Sequence, residues 1–448
     1  GEFAAFPMPG SEAGSVHVFR QGADGSWSEI GMVAAPSGTY GDGFGTAIAV
    51  GPQVMMVGAP KENEGRGAAY LFTRSGDTWT MAERLEAPDA MPDDAFGSAI
   101  AMSEDFGLIG APGRGEAGAV FGYFADETGG ATVELTGSAA ATDAQFGAAI
   151  SIEGDLALMG APGPFALNNY GPQPQFQPGA AFVFRFTGQG FDEVAHLRPT
   201  GGGSMGLAAM LFEGEALLAA PIANQGQGQV FRFEADAAGE WSQSGVVTAT
   251  DPQPMSLFGY SLARAGDRLV VGAPGTGAFA GGAHVLAMGD DGSWTEEAVL
   301  TAETKGLMGF MGNSVSGDDD VIIVGAPGSE FFEGIGFVFA RGADGSWSEE
   351  ASIYEANSGM AAVTGGEQRC GEDGMVAGFG CEDVELVSFM PVDEVGGSRG
   401  IMVSDIWGWT DPQTGREYAI LGRFDGTSFI DVTDAENPLY LGNLPLTE

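Results

Sequence analysis

The sequence has very little positive charge. Among its 448 residues, 17 are Lys or Arg and 61 are Asp or Glu, which gives a formal net charge of −44, and the only lysines are Lys61 and Lys305. Such a surface repels nucleic-acid phosphates and anionic lipids, so we expect neither as a partner. The acidity fits divalent-cation binding or life at high salt, but a solvated acidic surface that keeps the chain soluble explains it more simply.

Long apolar runs and the common catalytic motifs are missing as well. No stretch approaches the roughly 20 apolar residues that a membrane helix needs. The three histidines are His17, His196 and His284, and none belongs to an H-E-x-x-H motif or accompanies a G-x-S-x-G motif or a cysteine. We therefore predict that the chain is not an enzyme and has no catalytic residues.

Cysteine is scarce, with only Cys370 and Cys381. Two thiols without a nearby histidine make a poor zinc site, so a disulfide is the better interpretation, and it indicates an oxidising compartment outside the cytoplasm. The sequence begins with Gly1 rather than Met. We expect a processed or partial product whose signal peptide or anchor lies outside this sequence.

Glycine, in contrast, is abundant, with 76 residues, and many of them lie in a repeated segment. In each copy a second glycine or alanine follows the first glycine after 13 positions, so no insertion is tolerated between them. Two short apolar runs around a turn predict a tight antiparallel hairpin in every copy. The copies are residues 44–60 (FGTAIAVGPQVMMVGAP), 96–112, 146–162, 205–221, 258–274 and 311–327.

Two further strand patterns follow each hairpin, such as residues 67–74 and the tryptophan-led residues 79–87. Four strands within roughly fifty residues are typical of a propeller blade. Residues 1–36 contain only the last two strands of such a unit, and we expect upstream residues or another segment to supply the inner ones. The predicted fold is all-β: a seven-bladed β-propeller of four-stranded antiparallel blades, plus a C-terminal blade-like β segment.

The six FG…GAP copies make residues 1–357 similar to FG-GAP repeat proteins, a family that includes the integrin α-subunit head and many bacterial surface proteins. The resemblance implies a secreted or surface-displayed protein. Integrin-like repeats often carry a D-x-D-x-D-G-x-x-D calcium loop in the hairpin, whereas the connection here is very short. The candidate calcium ligands are the nearest approach to that loop and an acidic group before the FG pairs: Asp318, Asp319 and Asp320, and Asp89, Asp93 and Asp94.

Several other residues recur at fixed blade positions, which indicates an architectural role. Asp24, Asp291 and Asp344 stand in Asp-Gly turns, where positive φ is needed. His17 and His284 occupy a third-strand position that holds an aromatic residue in other blades, which indicates packing. The recurring tryptophans, also interpreted as packing residues, are Trp27, Trp79, Trp241, Trp294 and Trp347.

The repeat stops after residue 357. We interpret residues 358–400 as a disulfide-containing linker and residues 401–448 as a single blade. The cysteine pair, DIWGW at 405–409 and FIDVTDAENPLYLG at 429–442 resemble the opening of choice-of-anchor B proteins, which are built on LVIVD-type propeller repeats. The resemblance implies a truncated second propeller, because one blade cannot bury its faces alone.

Our leading interpretation is a secreted or cell-surface bacterial protein without enzymatic activity. It would act in adhesion, interaction or structural assembly, with a protein or surface ligand as partner. Self-assembly into filaments could start from an unpaired strand edge at residues 15–20. The alternative is a hydrolase that uses clustered carboxylates on a propeller face, with calcium as an optional cofactor.

Overall fold

The computed structural model divides the chain into two compact units, Gly1–Pro327 with Ile335–Ile353, and Gly328–Gly334 with Tyr354–Glu448. Each unit is described by itself. The residues that the structure describes are 3–8, 14–22, 26–39, 41–124, 131–163, 179–200, 205–302, 308–329, 334–353, 362–366, 368–369, 375–376, 379–380, 385–391, 394–396, 403–423 and 426–445.

Among its described residues, the first unit contains one three-stranded and six four-stranded antiparallel sheets, which are blades 1 to 7 in chain order. Within each sheet, neighbouring strands are consecutive in sequence. Blade 1 comprises β1 (Phe3–Met8), β2 (Ser15–Gln21) and β3 (Trp27–Val33). Blade 2 comprises β4 (Ile48–Val50), β5 (Val54–Ala59), β6 (Ala68–Ser75) and β7 (Thr78–Leu85). Blade 3 comprises β8 (Ile100–Met102), β9 (Gly107–Ala111), β10 (Ala119–Phe124) and β11 (Ala131–Leu135). Blade 4 comprises β12 (Ala149–Glu153), β13 (Leu156–Ala161), β14 (Ala180–Phe186) and β15 (Phe191–Leu197). Blade 5 comprises β16 (Ala209–Phe212), β17 (Glu215–Ala220), β18 (Gln229–Ala235) and β19 (Trp241–Val247). Blade 6 comprises β20 (Leu262–Ala265), β21 (Arg268–Gly272), β22 (Ala283–Met288) and β23 (Trp294–Leu300). Blade 7 comprises β24 (Ser314–Asp318), β25 (Val321–Ala326), β26 (Ile335–Arg341) and β27 (Trp347–Ile353).

The fixed 13-residue spacing of the repeat has a hydrogen-bonding cause. The N–H of the first glycine donates to the carbonyl of the second small residue in all six copies, as from Gly97 to Gly110 at 2.9 Å. The first glycine also has positive φ, +94° at Gly97, where a Cβ would lie 2.3 Å from the carbonyl oxygen of Ala68. Only glycine fits there, so the predicted hairpins are confirmed together with the reason for their constant length.

Apolar clusters join each blade to the next. The cluster between blades 2 and 3 includes Met56 and Ile109, both almost fully buried. The ring closes where Phe19 of blade 1 packs against Val338 and Ile353 of blade 7. Burying large apolar side chains of this kind stabilises a fold by roughly 1.5–3 kcal/mol each. The predicted seven-bladed propeller is confirmed.

The first strand of each complete blade is the innermost one. Strands β4, β8, β12, β16, β20 and β24 contact one another in succession around the ring. The turn that follows each of these strands lies at one end of the ring, and the loop that precedes it lies at the other. A cleft at either end can therefore draw residues from several blades.

Blade 1 differs from the sequence-based expectation of half a blade. Strand β1 pairs with β2 from Phe3 opposite Arg20 to Met8 opposite Ser15, and β2 pairs on its other side with β3. Residues 15–20 are therefore not an unpaired edge, and the predicted self-assembly loses the edge on which it depended. Residues 3–8 supply an additional strand, so the described part of the blade has three strands rather than two.

Helix in the described residues is confined to single turns: α1 (Glu62–Gly65), α2 (Ala223–Gly226) and α3 (Thr276–Phe279). This confirms the prediction of an all-β chain without a long helix. In the part of the chain that the structure describes, no helix has the length and apolar character needed to cross a membrane.

Asp291 and Asp344 have the predicted architectural role in turns, although the positive φ belongs to Gly292 and Gly345 and not to the aspartates. Asp291 accepts the side-chain hydroxyl (2.6 Å) and the N–H (3.0 Å) of Ser293, and these bonds lower its pKa. Asp344 and Ser346 make the same contacts in the next blade, while Asp24 lies outside the described residues. The five blade tryptophans recur at the start of the outermost strand and are all half-buried.

The second unit contains a four-stranded antiparallel sheet near the end of the chain, as predicted. Its strands are β32 (Val403–Thr410), β33 (Glu417–Arg423), β34 (Gly426–Asp431) and β35 (Leu439–Pro445), after two short pairs, β28 (Gln368–Arg369) with β31 (Glu385–Leu386) and β29 (Met375–Val376) with β30 (Phe379–Gly380). Cys370 and Cys381 lie outside the described residues, so their disulfide stays a prediction. The division into a linker at 358–400 and a blade at 401–448 also stays a prediction.

Candidate functional site

Two clefts lie at opposite ends of the innermost strands, and each contains one group of the predicted acidic residues. The Arg114 cleft, of about 660 Å³, is formed by the loop that enters blade 3 and by the β9–β10 loop. The Arg264 cleft, of about 510 Å³, is formed by the turns that leave the innermost strands of blades 6 and 7. Arg114 and Arg264 differ in the number of hydrogen bonds that they make to other protein groups.

Arg114 is bonded on almost every side. Its guanidinium donates to the carboxylates of Asp94 (2.8 Å) and Glu134 (3.3 Å) and to the carbonyls of Pro88 (2.9 Å) and Asp89 (3.1 Å). The hydrogen bond to Asp94 raises the pKa of Arg114. The Asp94 side chain is 3% exposed and the Arg114 side chain 16%. This arrangement ties two loops together and leaves little of the guanidinium for a ligand.

The other acidic residues before the FG pairs also shape their loops. Asp94 accepts the N–H of Met91 at 2.8 Å, and Asp42 makes the matching bond in blade 2 at 2.6 Å. Asp89 and Asp93 have positive φ, +51° and +65°, a conformation that aspartate tolerates better than most residues. A calcium ion at Asp94 would have to displace a guanidinium.

Arg264 is held much more loosely. Its Nε donates to the carbonyl of Gly266 (2.6 Å), whereas its terminal nitrogens lie 3.6 Å from Glu153 Oε1 and 3.7 Å from Glu213 Oε1. The guanidinium stands 4.9 Å from the ring centroid of buried Phe212, a cation–π contact that helps to position it. The side chain is 50% exposed. Separations of 3.6 and 3.7 Å are longer than hydrogen bonds, so the terminal nitrogens of this half-exposed side chain keep donor capacity for a ligand.

Four blades contribute to the end of the ring at which the Arg264 cleft lies. Glu153 ends β12, Glu213 follows β16, Arg264 lies on β20, and Asp318 ends β24. The carboxylate of Glu153 accepts the N–H groups of Glu213 (2.9 Å) and Gly214 (3.0 Å). These bonds orient Glu153 and connect the innermost turns of blades 4 and 5.

An ion-pair network supports the wall of the Arg264 cleft that Arg268 lines. Arg268 donates to Glu297 at 2.6 Å, and Arg341 donates to the same carboxylate at 2.9 Å. Burial raises the pKa of Glu297, but the hydrogen bonds from Arg341 and Arg268 outweigh it, and the pKa lies below its usual value. A Cβ on Gly266 would lie 3.1 Å from Oδ1 of Asp319. The innermost turns of blades 6 and 7 are therefore close neighbours.

The three consecutive aspartates do not converge on a common point. Asp318 accepts the N–H of Asp319 at 2.9 Å, so one of its oxygens is bonded to its own turn. Among the described residues, no three His, Cys, Asp or Glu side chains are grouped so that they could hold a metal ion. Calcium at either predicted acidic group stays a prediction.

Comparison with known families accounts for the repeats. The family model described as FG-GAP repeat matches residues 27–72, 79–123 and 241–286. These segments are FG-GAP repeats. Each runs from the outermost strand of one blade to the third strand of the next, so the sequence unit spans a blade boundary. Such repeats are typical of extracellular or periplasmic proteins. No curated protein matches the sequence.

Several solved structures share the fold. A candidate 6-phosphogluconolactonase from Bacteroides uniformis has a TM-score of 0.56 at 12% identity, covering 79% of this chain and 95% of that one. A second from Bacteroides fragilis has a TM-score of 0.53 at 11% identity, covering 79% and 94%. The periplasmic gluconolactonase of Pseudomonas aeruginosa has a TM-score of 0.52 at 13% identity, covering 79% and 95%. At these identities the likeness shows the fold alone.

These comparisons correct the functional interpretation of the sequence. The names of the similar propellers, which are lactonases, contradict the prediction of a non-enzymatic adhesion or assembly module and the prediction that the chain is not an enzyme. The alternative, a hydrolase on a propeller face, is better supported. The resemblance of the C-terminal segment to choice-of-anchor B proteins is not shown.

The sequence analysis missed Glu153, Glu213 and Arg264. None of them belongs to a motif, and each lies at the end of an innermost strand in a different blade. When the repeats are aligned on their first glycine, a charged residue lies five to seven positions later in blades 3 to 7, and only in blade 6 is it an arginine. That pattern was the available indication of a site.

Proposed function

We propose that the chain is a hydrolase of neutral, hydroxyl-rich lactones and acts at the Arg264 cleft. The observation that carries the proposal is a half-exposed guanidinium between two carboxylates, at a place where innermost turns from several blades meet. The likeness in fold to proteins named as lactonases supports the reaction class. Catalytic sites also lie preferentially in such concave places.

Arg264, which lines the cleft, and the two carboxylates beside its guanidinium suit hydrolysis without a covalent intermediate. Glu213, whose side chain is 50% exposed, takes a proton from a water, and the water oxygen bonds to the lactone carbonyl carbon. Arg264 donates to the carbonyl oxygen as it gains negative charge. The ring C–O bond then breaks, the ring oxygen takes the proton from Glu213, and a hydroxy acid leaves. Glu153 holds the guanidinium in position.

Charge favours an uncharged substrate. Asp267 and the three aspartates at 318–320 line the cleft, and Arg268 is already paired with Glu297. A phosphate group would be repelled by these carboxylates and by the overall charge of −44. Sugar hydroxyls, in contrast, can donate to the carboxylates and accept from the guanidinium.

Titration of released acid tests the proposal. Hydrolysis of glucono-1,5-lactone should exceed the spontaneous rate, while the 6-phosphorylated lactone should react much more slowly. Glu213→Gln should lower kcat by about 100-fold or more, because the general base is lost. Arg185→Ala is the control, since Arg185 is equally exposed (51%) and pairs with Asp155 outside the cleft. Hydrolysis at the spontaneous rate, or an equal loss in the control, contradicts the proposal.

We also infer that the protein works outside the cytoplasm. FG-GAP repeats are typical of such proteins, and the predicted pairing of Cys370 with Cys381 would form in an oxidising compartment. Alkylation of the natively expressed protein should leave both cysteines unlabelled until a reductant is added. Labelling of both thiols in the native protein would contradict the pairing.

A further inference from the structure

We propose a second catalytic site, a Ser–His–Glu triad in blade 1 that transfers small acyl groups to water. Oγ of Ser15 lies 3.2 Å from Nε2 of His17, and Nδ1 of His17 lies 2.9 Å from Oε1 of Glu29. A serine hydrolase needs these two contacts, one between nucleophile and base and one between base and orienting acid. The triad is separate from the Arg264 cleft and does not rest on lactone hydrolysis.

Strand geometry brings the three side chains together. Ser15 and His17 are alternate residues of β2, so they project from the same face of the sheet. Glu29 lies on β3, the neighbouring strand. Its side chain is 28% exposed, whereas that of His17 is 6% exposed. The acid therefore orients a base that is itself largely shielded from water.

Blade 6 shows which part of this arrangement is architectural. His284 makes the same pair with Glu296 at 2.7 Å, and its ring packs against Phe258 with centroids 5.1 Å apart. The strand registers place Gly282 where blade 1 has Ser15. A His–Glu pair alone is therefore a packing feature of these blades, and the hydroxyl group is what blade 1 adds.

The fold does not require a serine at this position. The equivalent residues, found by matching strand registers, carry no hydroxyl in the other blades. Alanine is the commonest of them, so a small apolar side chain fits. These residues are Ala68, Ala119, Ala180, Gln229, Gly282 and Ile335.

The reaction that this geometry supports is hydrolysis of a small ester. Oγ of Ser15 bonds to the ester carbonyl carbon while its proton moves to Nε2 of His17, and the alcohol leaves with that proton. Water then attacks the acyl-serine and gives a proton to His17. The carboxylic acid leaves as Ser15 recovers its proton. Glu29 holds Nδ1–H and stabilises the imidazolium.

Burial restricts the acyl group. Ser15 is 7% exposed and His17 5% exposed, which excludes bulky acyl groups from Oγ. Ser15 is the first residue of β2, which places the hydroxyl at a strand end. Short-chain esters are therefore the expected substrates.

Labelling with a short-chain fluorophosphonate, followed by peptide mass analysis, tests the triad. One adduct is expected, on Ser15, forming at least about 100-fold faster than on the exposed Ser293 and Ser346. Ser15→Ala should remove the adduct, and His17→Phe should slow labelling by about 100-fold or more. Both variants should fold, because other blades use alanine and phenylalanine at these positions.

His284→Phe is the matched control, since it removes the equivalent histidine of a blade without the serine, and labelling should be unchanged. Absence of an adduct on Ser15 in the folded protein overturns the proposal. So does an adduct that forms as fast in His17→Phe as in the original chain. Arg264→Ala should not alter labelling, so a failure of the lactone proposal remains distinguishable from a failure of the triad.

Discussion

The Arg114 and Arg264 clefts both contain an arginine among carboxylates, but the two arginines differ in hydrogen bonding and in exposure. Arg114 donates to two carboxylates and two carbonyls and is 16% exposed. Arg264 makes one close hydrogen bond and is 50% exposed. An arginine among carboxylates thus has a structural role, here called a clamp, when protein acceptors bind its N–H groups. It is a candidate ligand-binding group when those N–H groups are not bound by the protein.

The largest expected effect is on activity at the Arg264 cleft. Arg264→Ala should lower kcat for glucono-1,5-lactone by about 10²–10³-fold, because one donor to the developing oxyanion is lost. The free energy of unfolding should change by less than about 0.5 kcal/mol, as for other exposed ion pairs. Initial rates for Arg264→Ala and Arg114→Ala test the comparison directly. Equal losses of activity in the two variants would remove the functional distinction between the clefts.

The next effect is on stability at the Arg114 cleft. Arg114→Ala should lower the free energy of unfolding by about 3 kcal/mol, because the carboxylate of Asp94 is left buried without its charged partner. Urea denaturation measures this change. The exposed pair of Arg185 with Asp155 provides the control, and Arg185→Ala should cost less than about 0.5 kcal/mol. A similar cost in both variants would argue against a clamp at Arg114.

A second group of hydrogen-bonded side chains, Tyr70, Glu62 and Arg84, tests the same comparison at alkaline pH. Tyr70 donates to Glu62 at 2.6 Å, and Arg84 donates to the same carboxylate. Burial, together with the hydrogen bond to Glu62, raises the pKa of Tyr70 from 10.0 to about 12. The protonated phenol therefore stabilises the fold fully below pH 10, and this contribution is lost as pH rises to about 12.

Denaturation of the original chain and of Tyr70→Phe between pH 10 and pH 12 measures this contribution. The original chain should lose about 1–2 kcal/mol more stability than the variant across this interval. Parallel pH dependence of the two proteins would show that Tyr70 is not held in its neutral form by the clamp.

The smallest effect concerns the wall of the Arg264 cleft at acidic pH. Since the pKa of Glu297 is lowered from its usual 4.5, its ionised form stabilises the fold above pH 4.5, and this contribution disappears as pH falls through the lower folded-state pKa. Glu297→Gln should cost about 0.5–1 kcal/mol at pH 7, and the difference should vanish at low pH. A stability difference between the two proteins that does not change with pH would mean that the charge of Glu297 does not stabilise this wall of the cleft.

The repeated hairpins could be predicted from sequence because their cause is local, whereas β1 could not. Strand β1 has neither the FG nor the GAP residues, and Pro7 lies inside it, so nothing in the repeat marks it as a strand. It is positioned by pairing with β2, the strand that packs against blade 7 where the ring closes. Both depend on contacts that the repeat pattern does not contain.

The catalytic candidates were hidden for a related reason. His17 was assigned to packing because its position accepts aromatic residues, and that reasoning is correct for His284 against Phe258. The alternation of Ser15 and His17 was visible, but the contact with Glu29 joins residues 12 apart on two strands. The register of the hairpin decides whether those side chains meet.

By itself the sequence determined the hairpins, their constant length and the all-β class. The physical reason is that a glycine with positive φ and a hydrogen bond across 13 residues, as between Gly97 and Gly110, act within one segment. Only the tertiary structure decided that Arg264 is open while Arg114 is closed. Those states depend on which carboxylates and carbonyls other segments bring within reach when seven blades close into a ring, and sequence spacing contains no such distances.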